Sequence, residues 1–343
     1  HGGTSHIDKK MMQMKKHVLF LLLALSCGLT AWSQDQQFTQ FYAVPTVMNP
    51  AFAGASLQSR FAMQYRNQWL GIPKGYRSYV ASFDSYINAM KSGIGVVIQK
   101  DAAGIGNLSR SSIALQYAYE TRIKKNWYIR PAIQLGLGSR SVNFNDLTFY
   151  DQLIRDNASS TLETYPGAST QFFDTGAGIL VYGPDLWFGA SAMHLNTPDE
   201  SLFETNSSTI PVRYAMHGGK RFRIKGHSLG RLDHHILIAA NYMSQGKFDQ
   251  LDMGFSYEFK PLFIALWYRG LPVKSNGYGL PNRDAMAFLV GVQTGPYNIG
   301  YSYDVTLSSL GAGNTAGAHE LTLSYNLAVK VKSKRKIVPC AAF

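Results

Sequence analysis

The sequence predicts an all-β chain, a transmembrane antiparallel β-barrel of about fourteen strands carrying an N-terminal signal peptide. Three observations predict it. Large apolar side chains recur at every second position from Leu57 to the C-terminus, as in Tyr297, Ile299, Tyr301, Tyr303 and Val305. A strand turns successive side chains to opposite faces, so each such segment has one oily and one wet face. The wet face carries Arg, Gln, Ser and Gly, which are costly against lipid and cheap in a watery lumen. Finally, an export signal precedes the ladder, and no later stretch offers the ~18 consecutive apolar residues of a helical span.

The signal reads in order. Met14, Lys15 and Lys16 open a positive region, His17 to Leu25 form a short apolar core, and Ala31-Trp32-Ser33 ends in residues a signal peptidase accepts. Cleavage is expected before Gln34. Residues 1–13 read as upstream of the start. Cys27 as a lipid acceptor fits less well, because only Ala24 stands three positions before it. After cleavage Cys340 alone remains, which rules out an internal disulfide. The full chain carries +12, and +9 without the four lysines and one Asp of residues 1–33. In an exported chain that balance points to anionic headgroups or an acidic protein rather than to nucleic acid. Aromatic content of 13%, with 20 Tyr, suits interfacial girdles.

The first strand is Leu57–Leu70, with Phe61, Met63, Tyr65 and Trp69 outward and Arg60, Gln64 and Arg66 inward. The second is Tyr76–Tyr86 and the third Gly93–Asp101. The fourth, Ser109–Arg122, turns Ile113, Leu115 and Tyr117 out. The fifth, Trp127–Val142, turns Ile133, Leu135 and Leu137 out and Arg130, Gln134 and Arg140 in. The rest follow near Gln171–Tyr182, Leu186–His194, Val212–Ile224, Asp233–Ser244, Phe248–Phe259, Leu262–Arg269, Asp284–Gln293, Tyr297–Val305 and His319–Val331. The seventh, ninth and eleventh are apolar on both faces, which predicts a stretch of lumen packed by a plug or partner. Short turns mostly follow even-numbered strands and long loops mostly follow odd ones. Outer-membrane barrels put short turns in the periplasm, so both chain ends are expected there. A soluble barrel would instead fill its interior with apolar groups and keep charge outside.

The expected organisation is therefore residues 1–33 removed, 34–56 a periplasmic N-terminal segment, 57–331 the barrel, and 332–343 a basic periplasmic tail. Chemistry is sparse: there is no phosphate loop, zinc signature or nucleophile elbow, and neither cofactor, metal nor catalytic residue is predicted. His319-Glu320 and Asp233-His234-His235 alternate faces and read as interfacial polar groups. His194 and His217 leave a barrel lipase as a weak rival, with no particular Ser indicated. Asp304 is expected inward, as a lumen hydrogen bond or a partner for an inward Arg. Arg60, Arg66, Arg130 and Arg140 on the inner face raise a second rival, a passive channel for small anionic solutes.

The two ends carry candidate partner-binding residues. Phe38, Phe41 and Tyr42 stand in a polar, non-alternating segment, followed by Pro45 and by Asn49-Pro50-Ala51-Phe52-Ala53-Gly54, which reads as a structured turn. Past the last strand come Lys330, Lys332, Lys334, Arg335 and Lys336, then Ile337, Val338, Pro339, Cys340 and Phe343: charge for reach and apolar groups for grip.

These N-terminal residues, with Tyr76-Arg77-Ser78, Gly300-Tyr301-Ser302-Tyr303-Asp304, Gly317-Ala318-His319-Glu320-Leu321 and the Pro339-Cys340…Phe343 ending, resemble the PorP/SprF family of type IX secretion-system outer-membrane proteins of Bacteroidota. The resemblance spans essentially the whole mature chain. One departure is Ala341-Ala342, where family endings favour Pro after the Cys. The resemblance implies a non-enzymatic outer-membrane barrel. Its expected partners are outer-membrane lipid, periplasmic type IX components, and exported surface proteins such as gliding adhesins.

Overall fold

Lumen-facing polar side chains and lipid-facing apolar ones alternate around a closed ring of strands. The computed structural model describes residues 35–72, 74–155, 160–162, 167–203, 207–224, 234–275, 281–307 and 315–327. The strands are β1 (Ser59–Gln68), β2 (Tyr76–Ile87), β3 (Ser92–Ala103), β4 (Leu108–Tyr119), β5 (Thr121–Lys124), β6 (Trp127–Ser141), β7 (Ser169–Tyr182) and β8 (Leu186–Met193). They continue as β9 (Arg213–Ile224), β10 (His234–Gln245), β11 (Phe248–Phe259), β12 (Leu262–Ser275), β13 (Pro281–Thr294), β14 (Tyr297–Thr306) and β15 (Ala318–Leu327).

Neighbours pair antiparallel in sequence order, β15 returns to β1, and β4 pairs directly with β6. That closes a ring of fourteen full staves, the strands bonding one another's backbone as a bilayer requires. The short β5 is an addition to the expected set. The fourth stave breaks at Glu120, which turns inward to bond Arg130, Tyr86 and Tyr182 while β5 continues alone along β6. The β12–β13 hairpin also runs longer than expected, with register shifts after Arg269 and Leu271. Gly270, at φ 145°, sits in the first of these.

The pleat sorts residues as expected. On β1, Phe61 and Met63 are exposed while Arg60, Gln64 and Arg66 are buried. Tyr65 and Tyr79 lie directly opposite each other on β1 and β2, with ring centroids 5.0 Å apart, and Tyr297 and Tyr325 repeat the pairing at 4.9 Å. Such cross-strand aromatic pairs stabilise register as well as forming girdles.

One barrel end carries the turns Asn88–Lys91, 125–126, 183–185, 260–261 and 295–296, together with Ser59 and Leu327. The other carries the long loops 142–168, 194–212 and 307–317.

The expected N-terminal segment 34–56 is, over its described residues, bonded to the inward side chains of the strands. Residues 35–56 run inside the barrel, from the long-loop mouth at Asp35 to the short-turn end at Gly54. Residues 1–33, the tail 332–343 and the last residues of the predicted final strand lie outside the described set.

Candidate functional site

The filled lumen is where the chain's polar chemistry concentrates. Asp35 begins the inner segment at the long-loop mouth. Its N–H donates to the Gln245 side chain at 3.0 Å. Its carboxylate meets Arg110 at 2.8 Å, Arg213 at 3.0 Å and His194 at 2.7 Å. These partners come from the mouth ends of β4, β9, β10 and β8, all opposite Ser59 and Leu327. Asp35 therefore lies at the end opposite Ser59 and Leu327.

Four residues further in, at Thr39, strand parity sets a charged hub. Glu320 faces inward on β15 and accepts the Thr39 and Gln40 N–H groups at 2.8 and 2.7 Å. It also accepts Gln64 at 2.7 Å and Arg66 at 3.0 Å. The Thr39 hydroxyl donates to Asp304 at 2.6 Å. Phe41 and Tyr42 then pack on Trp267 of β12, with ring centroids 5.0 and 5.3 Å away. A helical turn, Pro45–Met48, passes its carbonyls to the wall: Gln116 donates to Thr46 O at 2.8 Å and Ser191 to Met48 O at 2.8 Å.

Asn49 explains the Asn-Pro-Ala-Phe-Ala-Gly motif. Its side-chain oxygen accepts the Ala51 N–H at 2.9 Å and caps the 3-10 turn Pro50–Phe52, with Pro in the first turn position where no N–H is needed. Its amide donates to the carbonyls of Ile179 and Ala190, both at 3.1 Å, and lies 3.0 Å from His217 Nε2. The wall makes room for it with Gly178, where a Cβ would collide with the Asn49 amide oxygen. Arg130 donates to Ala51 O at 2.9 Å and to Ala53 O, and the Gly54 N–H donates to Asp84 at 2.9 Å. Gly54 adopts φ 68°, a turn conformation suited to glycine.

The candidate partner-binding residues of the N-terminal segment are thus turned inward. Phe38, Tyr42, Asn49, Pro50, Phe52 and Gly54 are buried, and Phe41 is half-buried. In this state they bind the chain's own wall. Arg335, Ile337, Pro339, Cys340 and Phe343 lie outside the described residues.

The inward arginines are self-paired. Arg60 meets Asp84 at 3.0 Å, Arg66 meets Asp304 at 2.7 Å, Arg130 meets Glu120 at 2.7 Å, and Arg140 meets Glu200. Asp304 is the inward partner of an arginine, one of the two roles the sequence offered it. A bare cationic ring of these four, which anion selectivity would need, is absent among the described residues. Sequence reasoning missed Arg269, which pairs with Asp252 at 2.9 Å and Asp304 at 3.4 Å, and missed Arg110, Arg213, Asp35 and Glu320 as anchors. Inward parity marked Glu320, which shares its face with Thr322 and Ser324. No local signal marked Asp35.

The two-sided apolar strands have their explanation here. Trp187 on β8, Leu237 on β10, and Phe263 and Trp267 on β12 form a buried cluster with Tyr42, Met48 and Phe52. Two gaps flank the segment: about 40 Å³ beside Asp35, Gln36 and Asp101, and about 30 Å³ beside Phe38, Phe41 and Met243. At ~10–15 Å³ per water, each has room for a few molecules.

His194 is bound by Asp35 and Asp174, and His217 meets Asn49. Neither bonds a serine among the described residues. His319 and Glu320 face opposite ways, His319 outward against Tyr301 and Tyr303. Above the mouth, loop 194–212 sends Glu200 down to Arg140, with Arg110 at 3.8 Å from the same carboxylate. Loop 142–168 holds a helical turn, Tyr150–Ile154, with Tyr150, Leu153 and Ile154 exposed. There the Thr161 hydroxyl, the Leu162 N–H and Arg155 hold the Asp151 carboxyl below the usual carboxylate range.

A family model described as type IX secretion system membrane protein PorP/SprF matches residues 31–325. Among solved structures, the outer membrane protein Omp33 of Acinetobacter baumannii is 7% identical, with a TM-score of 0.44, covering 80% of this chain and all of that one. The P. putida toluene transporter TodX is 9% identical at a TM-score of 0.42, over 86% of this chain and 95% of its own. A KdgM porin is 7% identical at 0.35, over 78% and 99%. A search of curated proteins finds no match.

Proposed function

This chain belongs to the PorP/SprF family of type IX secretion system membrane proteins, and from that premise we propose that it is a non-enzymatic scaffold of the secretion apparatus. It supports export or surface anchoring of large surface proteins such as gliding adhesins. The observation that carries the reading is the family match across residues 31–325, nearly the whole barrel.

The lumen favours a scaffold over a passive anion channel. Its arginines are neutralised in place, and a segment of the chain lies where solute would pass. His194 and His217 are committed to carboxylate and amide partners, which speaks against hydrolysis. Leu327 leaves the sheet at the short-turn end. By the usual outer-membrane arrangement that end faces the periplasm. The basic tail carrying Arg335, Ile337, Pro339, Cys340 and Phe343 then emerges where periplasmic type IX components dock. The loops 142–168 and 194–212 face outward, towards the exported protein.

The test is a truncation. Deleting Ser333–Phe343 is expected to leave a folded barrel in the outer membrane while abolishing display of a type IX cargo at the cell surface. Normal display by the truncated protein removes the docking role. Normal display in cells lacking the whole chain removes the secretion role itself.

A further inference from the structure

We propose that residues 35–53 are a releasable plug: the lumen they fill is a conduit that opens when the segment is drawn out. Four observations carry this.

Only at the mouth does the segment supply charge to the wall, through Asp35 on Arg213, Arg110 and His194; deeper in, the wall pairs its own charges. Arg60–Asp84, Arg66–Glu320, Arg269–Asp252 and Arg130–Glu120 are wall-to-wall pairs at 3.0, 3.0, 2.9 and 2.7 Å. Breaking a buried pair by removing one partner is expensive, and withdrawal of the segment removes none of these. From residue 35 to 56 the chain holds one charged side chain, Asp35. Every other polar contact it makes is a hydrogen bond through its own neutral groups.

The seated state leaves polar groups unmatched. Arg66 Nε, Asp304 Oδ1, Asn241 Oδ1, Asn298 Oδ1 and Trp267 Nε1 are buried without a protein hydrogen-bond partner. Such groups are costly to bury without a partner. Water entering a vacated lumen would bond them. That gain opposes the cost of exposing Phe38, Tyr42, Val44, Met48 and Phe52, so the two states are brought closer in free energy.

The junction with the barrel is built as a pivot. Gly54 stands at φ 68° and Leu57 at φ 57°, the latter a left-handed conformation that a leucine tolerates poorly. Withdrawal lets Leu57 relax to extended backbone. The vacated space has been shown by its own occupant to accept a polypeptide with helical turns and bulky aromatics. The opened conduit is therefore suited to a polypeptide segment or a hydrophilic solute.

The seat also supplies its own lock for testing. An ideal Cβ on Gly95 lies 3.2 Å from the Ala53 Cβ, near the 3.5–4.5 Å of a disulfide. The experiment uses the full chain carrying Ala53→Cys and Gly95→Cys in a Cys340→Ser background, reconstituted in planar bilayers and compared oxidised and reduced. A second protein lacks residues 35–53. The reduced full chain is expected to be closed at low voltage and to open in bursts under rising voltage or mild urea. Oxidation abolishes the bursts and reductant restores them. The truncated barrel conducts steadily, roughly tenfold or more above the closed chain. Identical silence of the oxidised and reduced chains at every voltage means a fixed plug and overturns release. Steady conductance by the oxidised chain means that the segment does not occlude, and overturns the plug itself. If the truncated barrel fails to fold, the oxidised and reduced full chains still decide.

Discussion

Glu320 gathers four donors from two elements: two backbone amides of the inner segment, and the Gln64 amide and Arg66 guanidinium of β1. Glu320→Gln keeps the shape, removes the charge opposite Arg66, and turns an NH₂ toward groups that can only donate. Arg66 keeps Asp304 at 2.7 Å, so the cost is expected below the ~3–5 kcal/mol of a buried charge left wholly unpaired. The expected result is a lower urea midpoint for the heat-modifiable folded band, with the barrel still assembling; an unchanged midpoint would mean that the hub is not an anchor. Gly178 probes the same seat sterically. Its missing Cβ is the space the Asn49 amide oxygen occupies, with Pro50 Cδ 3.1 Å from that point. Valine suits strand backbone, so Gly178→Val is expected to leave the sheet intact and expel the turn. Added protease should then cleave within residues 35–56 while the barrel resists. Protection equal to that of the unsubstituted chain would contradict the close fit.

At the scale of elements, legibility divided along physical lines. A strand announces itself locally, because parity alone decides which side chains meet lipid, and the faces of β1, β6, β11 and β15 follow from their own residues. The turn at Asn49–Gly54 was legible for the same reason, since a cap, a Pro and a left-handed Gly are local devices. The apolar inward residues of β8, β10 and β12 signalled that something packs the lumen. What occupies it was not legible. The seat of residues 35–56 is assembled from Glu320, Asp304, Arg269 and Arg213, some 160 to 280 positions away in sequence, and the segment's own residues indicated something packed without indicating against what. The break at Glu120 escaped notice because its cause, Arg130 on the next stave, is a tertiary contact. The mouth follows the same rule: Asp35 gains its meaning only from Arg110, Arg213 and His194, which closure brings together.

The whole molecule is a membrane-embedded ring whose interior is finished by its own N-terminal chain. A closed fourteen-stave sheet satisfies its backbone in lipid, and its inner face satisfies itself through ion pairs and through the amides of residues 39–54. Those amides give the most direct measurement. Thr39, Gln40, Ala51 and Gly54 donate to buried side chains, and Asn49, Phe52 and Ala53 donate to backbone carbonyls of the segment itself. Hydrogen exchange of the purified full chain in detergent or lipid, read on peptides covering residues 38–54, is predicted to be much slower than that of an unstructured peptide, though faster than for peptides from β1 and β15, because the segment is released while the barrel stays folded. Exchange of that stretch at the rate of an unstructured peptide, with the strands still protected, would contradict the threaded lumen on which this account of the protein stands.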